Sequence, residues 1–268
     1  MSLFVRSLIG ALFLFFLVGC EVTPSAATAQ RPTFSSDTAT TAVNTFELEA
    51  GVAIDPRDQF DSPTTLKYGL SEESELSLSW SPHQWVEAPG SDGRGGGDAV
   101  IATRHRFFEE VASGYSAALQ LATKLPTGSE RDGLSSGELD FFAAGIATAG
   151  LDQATVTAFY QLGFLGETAG SDFDIEHGIA LGAATPAFDN VSIFGELATV
   201  LAHEQDREEV FTTLGLSYAL DDSFVLDAAV VVGLSRDAPD FQLVFGITKN
   251  FGQVHSWFTQ SGEAPDRN

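Results

Sequence analysis

Twelve charged side chains could carry the chemistry of this protein, because each lies in a stretch where apolar and polar residues alternate. Eight are acids and four are bases: Glu47, Glu49, Glu75, Asp98, Asp140, Glu176, Glu196 and Asp227, with Lys67, Arg104, Arg106 and Lys124. Such charges can pair with one another, or they can line a water-filled space and orient the solutes in it. The five histidines show no metal-ligand spacing, so we expect no metal site and no cofactor.

The alternation that positions these charges is clearest near the end of the chain. Three stretches, 210–220, 224–234 and 241–251, place large apolar residues on one face and small or polar residues on the other. Strict alternation over about ten residues predicts β-strands, and this length suits a tilted strand that crosses a bilayer. An apolar outer face and a polar inner face are typical of transmembrane barrels.

Nine further stretches show the same pattern: 45–54, 64–70, 75–80, 98–108, 114–124, 138–148, 154–164, 174–184 and 191–201. In the sixth of the twelve, Gly145-Ile146 suggests a bulge that shifts the register. Connections after every second strand are short, and most others are longer, including a Gly-rich stretch at 93–97 that we expect to be a mobile outer loop. We therefore predict an all-β fold, a transmembrane antiparallel up-and-down β-barrel of twelve strands.

The N-terminus predicts export. A basic start and an apolar run favour a signal peptide over residues 1–19, ending before a lipobox-like Leu17-Val18-Gly19-Cys20, which makes Cys20 a lipidation candidate. A cut after residue 29 is the alternative. Residues 20–43, rich in Ser, Thr, Ala and Pro, predict a flexible periplasmic linker. Residues 44–251 then form the barrel and 252–268 a periplasmic C-terminal tail, in the bacterial outer membrane.

The composition limits the partners. A net charge of −24 argues against binding nucleic acid. A barrel in the outer membrane would contact its lipids and lipopolysaccharide, the barrel-assembly machinery and a small-molecule solute. A soluble secreted all-β protein is the competing interpretation, and the bilayer-length alternation argues against it.

Several short motifs, taken in their order, resemble a known family. They are 65–71 with 75–80, 97–107, 124–128, 137–138, 216–220 and 238–240. Together they are similar to the transporter-like outer-membrane family named for a role in the meta-pathway of phenol degradation. The resemblance spans 45–251 and implies a barrel with a transport role. The family commonly stops at the terminal aromatic residue, whereas residues 252–268 follow here, which predicts weaker recognition by the assembly machinery.

Three functions fit this pattern. The first is a channel or transporter for small solutes, with aromatic or other apolar compounds among them, in which Arg104 and Arg106 help to set a field across the pore. The second is a non-conducting barrel with a structural or scaffold role, its lumen filled by ion pairs. The third is an outer-membrane lipase, which needs a Ser beside a lipid-facing His. We see no outward Ser opposite His105 or His177, so we predict no enzyme.

Overall fold

The computed structural model describes residues 25–30, 32–56, 59–88, 91–166, 173–202 and 205–253. The predicted signal peptide, Cys20 and nearly all of the predicted C-terminal tail lie outside these residues. Among the residues that the structure describes, none belongs to a helix long and apolar enough to cross a membrane.

Within the described ranges, fifteen strands make one sheet. They are β1 Thr45–Asp55, β2 Gln59–Asp61, β3 Thr64–Gly69, β4 Ser74–Trp80, β5 Gln84–Ala88, β6 Ser91–Gly95, β7 Ala99–Glu110, β8 Tyr115–Leu125, β9 Asp140–Leu151, β10 Ala154–Gly166, β11 Phe173–Phe188, β12 Val191–Ala202, β13 Arg207–Asp221, β14 Phe224–Gly233 and β15 Phe241–Gln253. Twelve of them, all except β2, β5 and β6, follow one another around an antiparallel barrel that closes where β1 pairs with β15. The predicted fold and strand number are confirmed.

The two faces of each strand differ in the way that the alternation predicts. On β12, Glu196 is 3% exposed, whereas its neighbour Leu197 is 54% exposed; on β13, Thr213 is 1% and Leu214 63% exposed. A belt of exposed Leu, Ile and Phe side chains therefore surrounds the barrel, and the polar residues point inward. In lipid this arrangement satisfies every backbone group within the wall and leaves apolar side chains outside.

The connections differ at the two ends of the barrel. The turns after β3, β7, β9, β11 and β13 are short, and we call their side the short-turn end. The opposite side, the long-loop end, carries the longer connections, among them residues 126–139 between β8 and β9. The even strand number puts both ends of the barrel chain, near Thr45 and Gln253, at the short-turn end.

The Gly-rich stretch that we expected to be a loop is a strand. Gly93 and Gly95 lie on β6, which pairs with β5, and β5 pairs in turn with β2 above the barrel wall. A Cβ on Gly93 would lie 1.9 Å from the carbonyl oxygen of Asp132, and one on Gly95 would lie 3.0 Å from Leu134. The glycines are thus needed for close packing of this hairpin against the β8–β9 connection.

The bulge that we expected at Gly145-Ile146 is also absent, because β9 pairs without a register shift there with both β8 and β10. Shifts occur instead near Glu47, Phe108, Phe188 and Asp221. The regular register of β9 turns Phe142, Ala144 and Ile146 toward the lumen, which makes that part of the inner wall apolar.

Candidate functional site: a segment inside the barrel

The segment before β1 lies inside the barrel. We call residues 25–30 and 32–43 the luminal segment. Its first part is anchored at the short-turn end, where Ala27 N donates to Asp222 O (2.8 Å), and its last part returns there, where Thr40 Oγ1 donates to Glu72 O (2.8 Å) and Val43 bridges Gly69. In its described residues, the segment differs from the flexible periplasmic linker predicted for 20–43, because its backbone amides donate hydrogen bonds to carboxylates of the barrel wall.

Three carboxylates on β1 and β4 bind the two ends of the luminal segment. Glu47 accepts hydrogen bonds from Thr28 N (2.8 Å) and Thr28 Oγ1 (2.7 Å), and Glu49 accepts one from Gln30 N (2.8 Å). On the returning part, Glu75 accepts hydrogen bonds from Thr41 N (2.8 Å) and Thr41 Oγ1 (2.9 Å). The predicted pore-lining acids therefore serve first as acceptors for backbone amides.

Lys67 on β3 joins the first two carboxylates. Its Nζ lies 2.6 Å from Glu49 Oε1 and 3.3 Å from Glu47 Oε1, and it also donates to Thr28 O at 2.9 Å. The lysine side chain is 2% exposed, so this cation is deeply buried. A buried charge of this kind is tolerated because it is paired and hydrogen-bonded.

Arg104 on β7 binds the middle of the segment. Its guanidinium donates to Ala39 O (3.0 Å), Gln30 Oε1 (3.0 Å) and Ser36 Oγ (2.8 Å), and it lies 3.6 Å from Glu75 Oε1. Arg106, nearer the short-turn end, donates to Thr40 Oγ1 (3.4 Å). We call the inward residues of β1, β3, β4 and β7 the charged wall; it holds the segment by polar contacts.

The opposite part of the lumen is different. Six inward residues stand in register across β8 to β13 and carry no polar atom in their side chains: Ala118, Ile146, Phe159, Ala180, Ala198 and Phe211. We call this row the apolar band. Five of the six are at most 5% exposed, and Phe211 packs against them. The two rings are separated by two alanines, which leaves a slot between them.

Phe34 of the luminal segment occupies that slot. Its ring meets Phe159 edge to face, with centroids 5.7 Å apart, and meets Phe211 in the same way at 5.8 Å. A Cβ on Gly178 would come within 2.9 Å of Phe34 Cζ, so the glycine makes room for the ring. Edge-to-face contacts of this type stabilise a buried ring beyond the burial of its surface.

Glu196 on β12 fixes the backbone beside that ring. Its two carboxylate oxygens accept hydrogen bonds from Phe34 N (2.8 Å) and Ser35 N (2.9 Å), and Ser35 Oγ also donates to it. Glu196 is 3% exposed, and within the described ranges every hydrogen-bond donor to its carboxylate is a neutral group of the luminal segment. Among the described residues, none of the ion pairs of lysine or arginine involves this carboxylate.

The remaining predicted residues lie away from the segment. Lys124 pairs with Asp140 (2.5 Å) and Asp98 (3.4 Å) toward the long-loop end. Glu176 pairs with Arg207, the first residue of β13. Asp227 on β14 is buried close to Gly246.

The bases therefore do not form a positive wall that faces acids across the lumen. Lys67, Arg104 and Lys124 each have an acid on an adjacent strand, and Arg106 pairs with Glu109 on its own strand (3.2 Å). The ion-paired arrangement that we considered for the lumen is the one that the structure shows. No group of three or more His, Cys, Asp or Glu side chains able to hold a metal lies in the described part of the chain.

The sequence interpretation missed the aromatic part of the site. Phe34 lies in a segment with no periodicity, and nothing local marks it. Phe159 and Phe211, however, occupy the inward phase of strands on which most other inward residues are small or polar. A large aromatic ring at an inward position indicates that another part of the chain packs against it inside the lumen.

One expectation about the lipid face was wrong. Ser74 stands opposite His105 in the register of β4 and β7, and its Oγ lies 2.9 Å from His105 Nδ1. In the described residues no carboxylate contacts the other nitrogen of this ring. A nucleophile–base pair is present, but the group that would orient the base is not.

Comparison with solved structures supports the fold. The chain is similar to the COG4313 outer membrane channel from Pseudomonas putida F1, with a TM-score of 0.65 and 13% identity over 82% of this chain and 100% of that one. It is similar to the KdgM porin (TM-score 0.55, 10% identity, 76% and 98%) and to the NanC porin (0.53, 8%, 76% and 97%). No family model and no curated protein matches. These structures are outer-membrane barrels with channel or porin descriptions.

Proposed function

We propose that this protein is an outer-membrane channel for small solutes, including aromatic or other apolar compounds, whose luminal segment narrows the path. The observation that carries the proposal is the way in which the segment is held. Its contacts with Glu47, Glu49, Glu75 and Glu196 are hydrogen bonds from backbone and hydroxyl groups. The chain has a single cysteine, so no disulfide within the chain fastens the segment.

Contacts of this kind can break one at a time. A hydrogen bond to a charged group contributes about 1.5–3 kcal/mol, and a neutral one about 0.5–1.5 kcal/mol. The segment is therefore stable in place as a whole, while a local part of it can detach without unfolding the barrel. Elements that move in proteins are usually the regions of low local stability, and the luminal segment has fewer backbone hydrogen bonds than the barrel strands.

The lining supports the solute class. Beside the charged wall, the apolar band offers a continuous surface across six strands, from Ala118 to Phe211. A solute with an aromatic or apolar part can contact this surface while its polar groups face the charged wall. The similarity to structures described as channels supports transport, and the specificity for apolar compounds is our proposal.

A non-conducting scaffold is the second candidate, and the filled lumen favours it. If the luminal segment never moves, the ion pairs and the segment close the barrel and leave only a structural role. A membrane-exposed belt of apolar side chains serves either function. Neither function requires catalysis, and we propose that the protein is not an enzyme.

A reversible crosslink separates the two candidates. The hydroxyls of Thr38 and Ser116 are in hydrogen-bond contact, so Thr38→Cys with Ser116→Cys, in a Cys20→Ser background, places two thiols for a disulfide. Conductance in a planar bilayer is measured for the wild type, for the oxidised pair and after reduction. A moving segment gives a lower conductance when oxidised that recovers on reduction.

Equal conductance in both states would show that ions pass beside a static segment, which contradicts the role of the segment but not the channel. No conductance in any state would contradict the channel and favour the scaffold. The Cys20→Ser chain alone, with and without reductant, is the control.

The location and the remaining partners are part of the same proposal. The exposed apolar belt fits the lipids and lipopolysaccharide of a bacterial outer membrane, and insertion would use the barrel-assembly machinery. Separation of inner and outer membranes by density, followed by detection of the full chain, tests this location.

A further inference from the structure

We propose that the slot between Phe159 and Phe211, together with Glu196, is a binding subsite for arylalkylamines, which Phe34 and Ser35 of the same chain occupy in its absence. The inference rests on the proposed channel and names a solute class for it. The subsite accepts an aromatic ring joined through two carbons to a protonated amine.

The shape of this class is that of the group now in the slot. In Phe34 the ring is joined to the backbone nitrogen through Cβ and Cα. The ring lies between Phe159 and Phe211, and the nitrogen donates to Glu196 at 2.8 Å. A 2-phenylethylammonium ion has the same ring, the same two carbons and a nitrogen at the same position. It can therefore place both ends where Phe34 places them.

The charge of the ligand follows from the surroundings of Glu196. This buried carboxylate is bound by neutral donors of the luminal segment, whereas the buried carboxylates Glu47 and Glu49 have Lys67 beside them. A charge-assisted hydrogen bond is roughly twice as strong as a neutral one. An ammonium group replaces the two amide donors and also compensates the charge, whereas the described donors of the luminal segment are neutral.

The slot has room for the ring because of small residues. Ala180 and Ala198 separate the two phenylalanines along the register, and Gly178 has no side chain where Phe34 Cζ approaches. Once Phe34 leaves, the walls of the slot remain part of the barrel. The luminal segment thus acts as a tethered competitor, and a ligand that enters must displace it.

Binding is measured by isothermal titration calorimetry on the full-length barrel in detergent, with three probes. The probes are 2-phenylethylammonium, 3-phenylpropionate, which has a similar shape and the opposite charge, and ethylammonium, which has no ring. We expect 2-phenylethylammonium to bind and the other two to bind at least about tenfold more weakly. Phe34→Ala removes the competing ring and is expected to tighten binding by about tenfold.

Glu196→Gln in the Phe34→Ala chain is expected to weaken binding of the amine by roughly tenfold or more, because the charge-assisted hydrogen bonds are lost. Asp140→Asn is the matched control, since it also neutralises a buried carboxylate of the lumen, but one that pairs with Lys124 and lies away from the luminal segment. It should leave the affinity of the Phe34→Ala chain unchanged. Glu196→Asp keeps the negative charge, so we expect it to bind the amine more tightly than Glu196→Gln does. This variant separates loss of charge from loss of fold. Heat-modifiable migration on electrophoresis tests whether each variant forms a closed barrel.

Equal weakening by Glu196→Gln and Asp140→Asn would overturn the subsite, as would equal binding of amine and carboxylate probes. Absence of tighter binding in Phe34→Ala would overturn the role of Phe34. Amine binding in a barrel that conducts no ions would refute the channel and leave the subsite standing. Conductance without amine binding would refute the subsite alone.

Discussion

The charged wall and the apolar band face the same lumen and hold the same segment by different physics. On the charged wall, Glu47, Glu75 and Arg104 bind the backbone of the segment through directional polar contacts. On the apolar band, Phe159 and Phe211 hold one ring by packing. The polar contacts determine where the backbone of the segment lies along the lumen. The packing contact depends only on how well the ring of Phe34 fits its slot.

The difference has a consequence for how each side tolerates change. Removal of one partner from a buried ion pair leaves the other charge without compensation, which is costly. Removal of one ring from a packed slot leaves an apolar space, and the barrel strands around it stay paired. We therefore expect mutations in the charged wall to affect the whole barrel, and mutations near the slot to affect mainly the segment.

The largest expected effect follows from Lys67→Met. Glu47 and Glu49 would be left buried without their cation, so we expect the free energy of unfolding to fall by about 3–5 kcal/mol. Urea unfolding in lipid vesicles measures this. Lys124→Met is the matched control, because Lys124 is 18% exposed and its partners reach solvent more easily, and its effect should be smaller. Equal losses of unfolding free energy in the two variants would show that the depth of burial of the cation does not determine its contribution to stability.

A smaller effect is expected at the slot from Gly178→Val. The added side chain would meet Phe34 Cζ within 2.9 Å and push the ring out, at a cost of about 1–3 kcal/mol for overpacking. We expect faster proteolysis of residues 25–43 with an intact barrel, read by mass spectrometry of the fragments. Gly145→Val is the control, since a Cβ there meets nothing within 4 Å. Unfolding of the barrel in Gly178→Val alone would contradict the separation of the two sides.

Thr41→Val sharpens the comparison at a single polar contact. It removes the hydroxyl that donates to Glu75 at 2.9 Å and keeps the shape of the side chain. We expect a loss of about 1.5 kcal/mol in the anchoring of the segment, the lower end for a hydrogen bond to a charged group, because Thr41 N still donates to the same oxygen. We also expect a modest rise in conductance, measured on single channels. Thr64→Val, at a residue outside the luminal segment, should leave conductance unchanged. A conductance equal to that of the wild type in Thr41→Val would indicate that this anchor does not limit the path.

The smallest effect is expected from Ser74→Ala on the lipid face. Ser74 contacts His105 at 2.9 Å, but no described group orients the histidine for base catalysis. We expect no hydrolysis of ester substrates by the wild type and no change in stability beyond about 0.5 kcal/mol in the variant. Ester hydrolysis by the wild type that disappears in Ser74→Ala would contradict the absence of enzyme activity.

Much of the barrel was predictable because its repeat has a period of two. A slip of one residue would turn every apolar side chain into the lumen, so the alternation alone assigns Glu47, Lys67, Glu75 and Arg104 to the inner face. Up-and-down order then places β1 beside β3 and β4 beside β7, which predicts that these charges lie close enough to pair. The pairing of Lys67 with Glu49 is a direct product of that order.

At two places the structure departs from the sequence pattern for reasons that lie elsewhere in the chain. Gly93 and Gly95 read as loop residues, yet they form β6 because a neighbouring connection packs where side chains would be. Arg207 follows a charged stretch, yet it begins β13 and points inward to Glu176. In both places the deciding contact comes from another part of the chain.

The sequence by itself determined the twelve barrel strands, their faces and the closed barrel, since periodicity and the need to pair every backbone group in lipid leave little choice. Only the tertiary structure decided what fills the lumen. Residues 25–43 have no periodicity, and the contact that fixes Phe34 joins it to Glu196, 162 residues later in the chain. The segment's position depends on a cavity, a slot and a buried carboxylate that exist only once the barrel has closed.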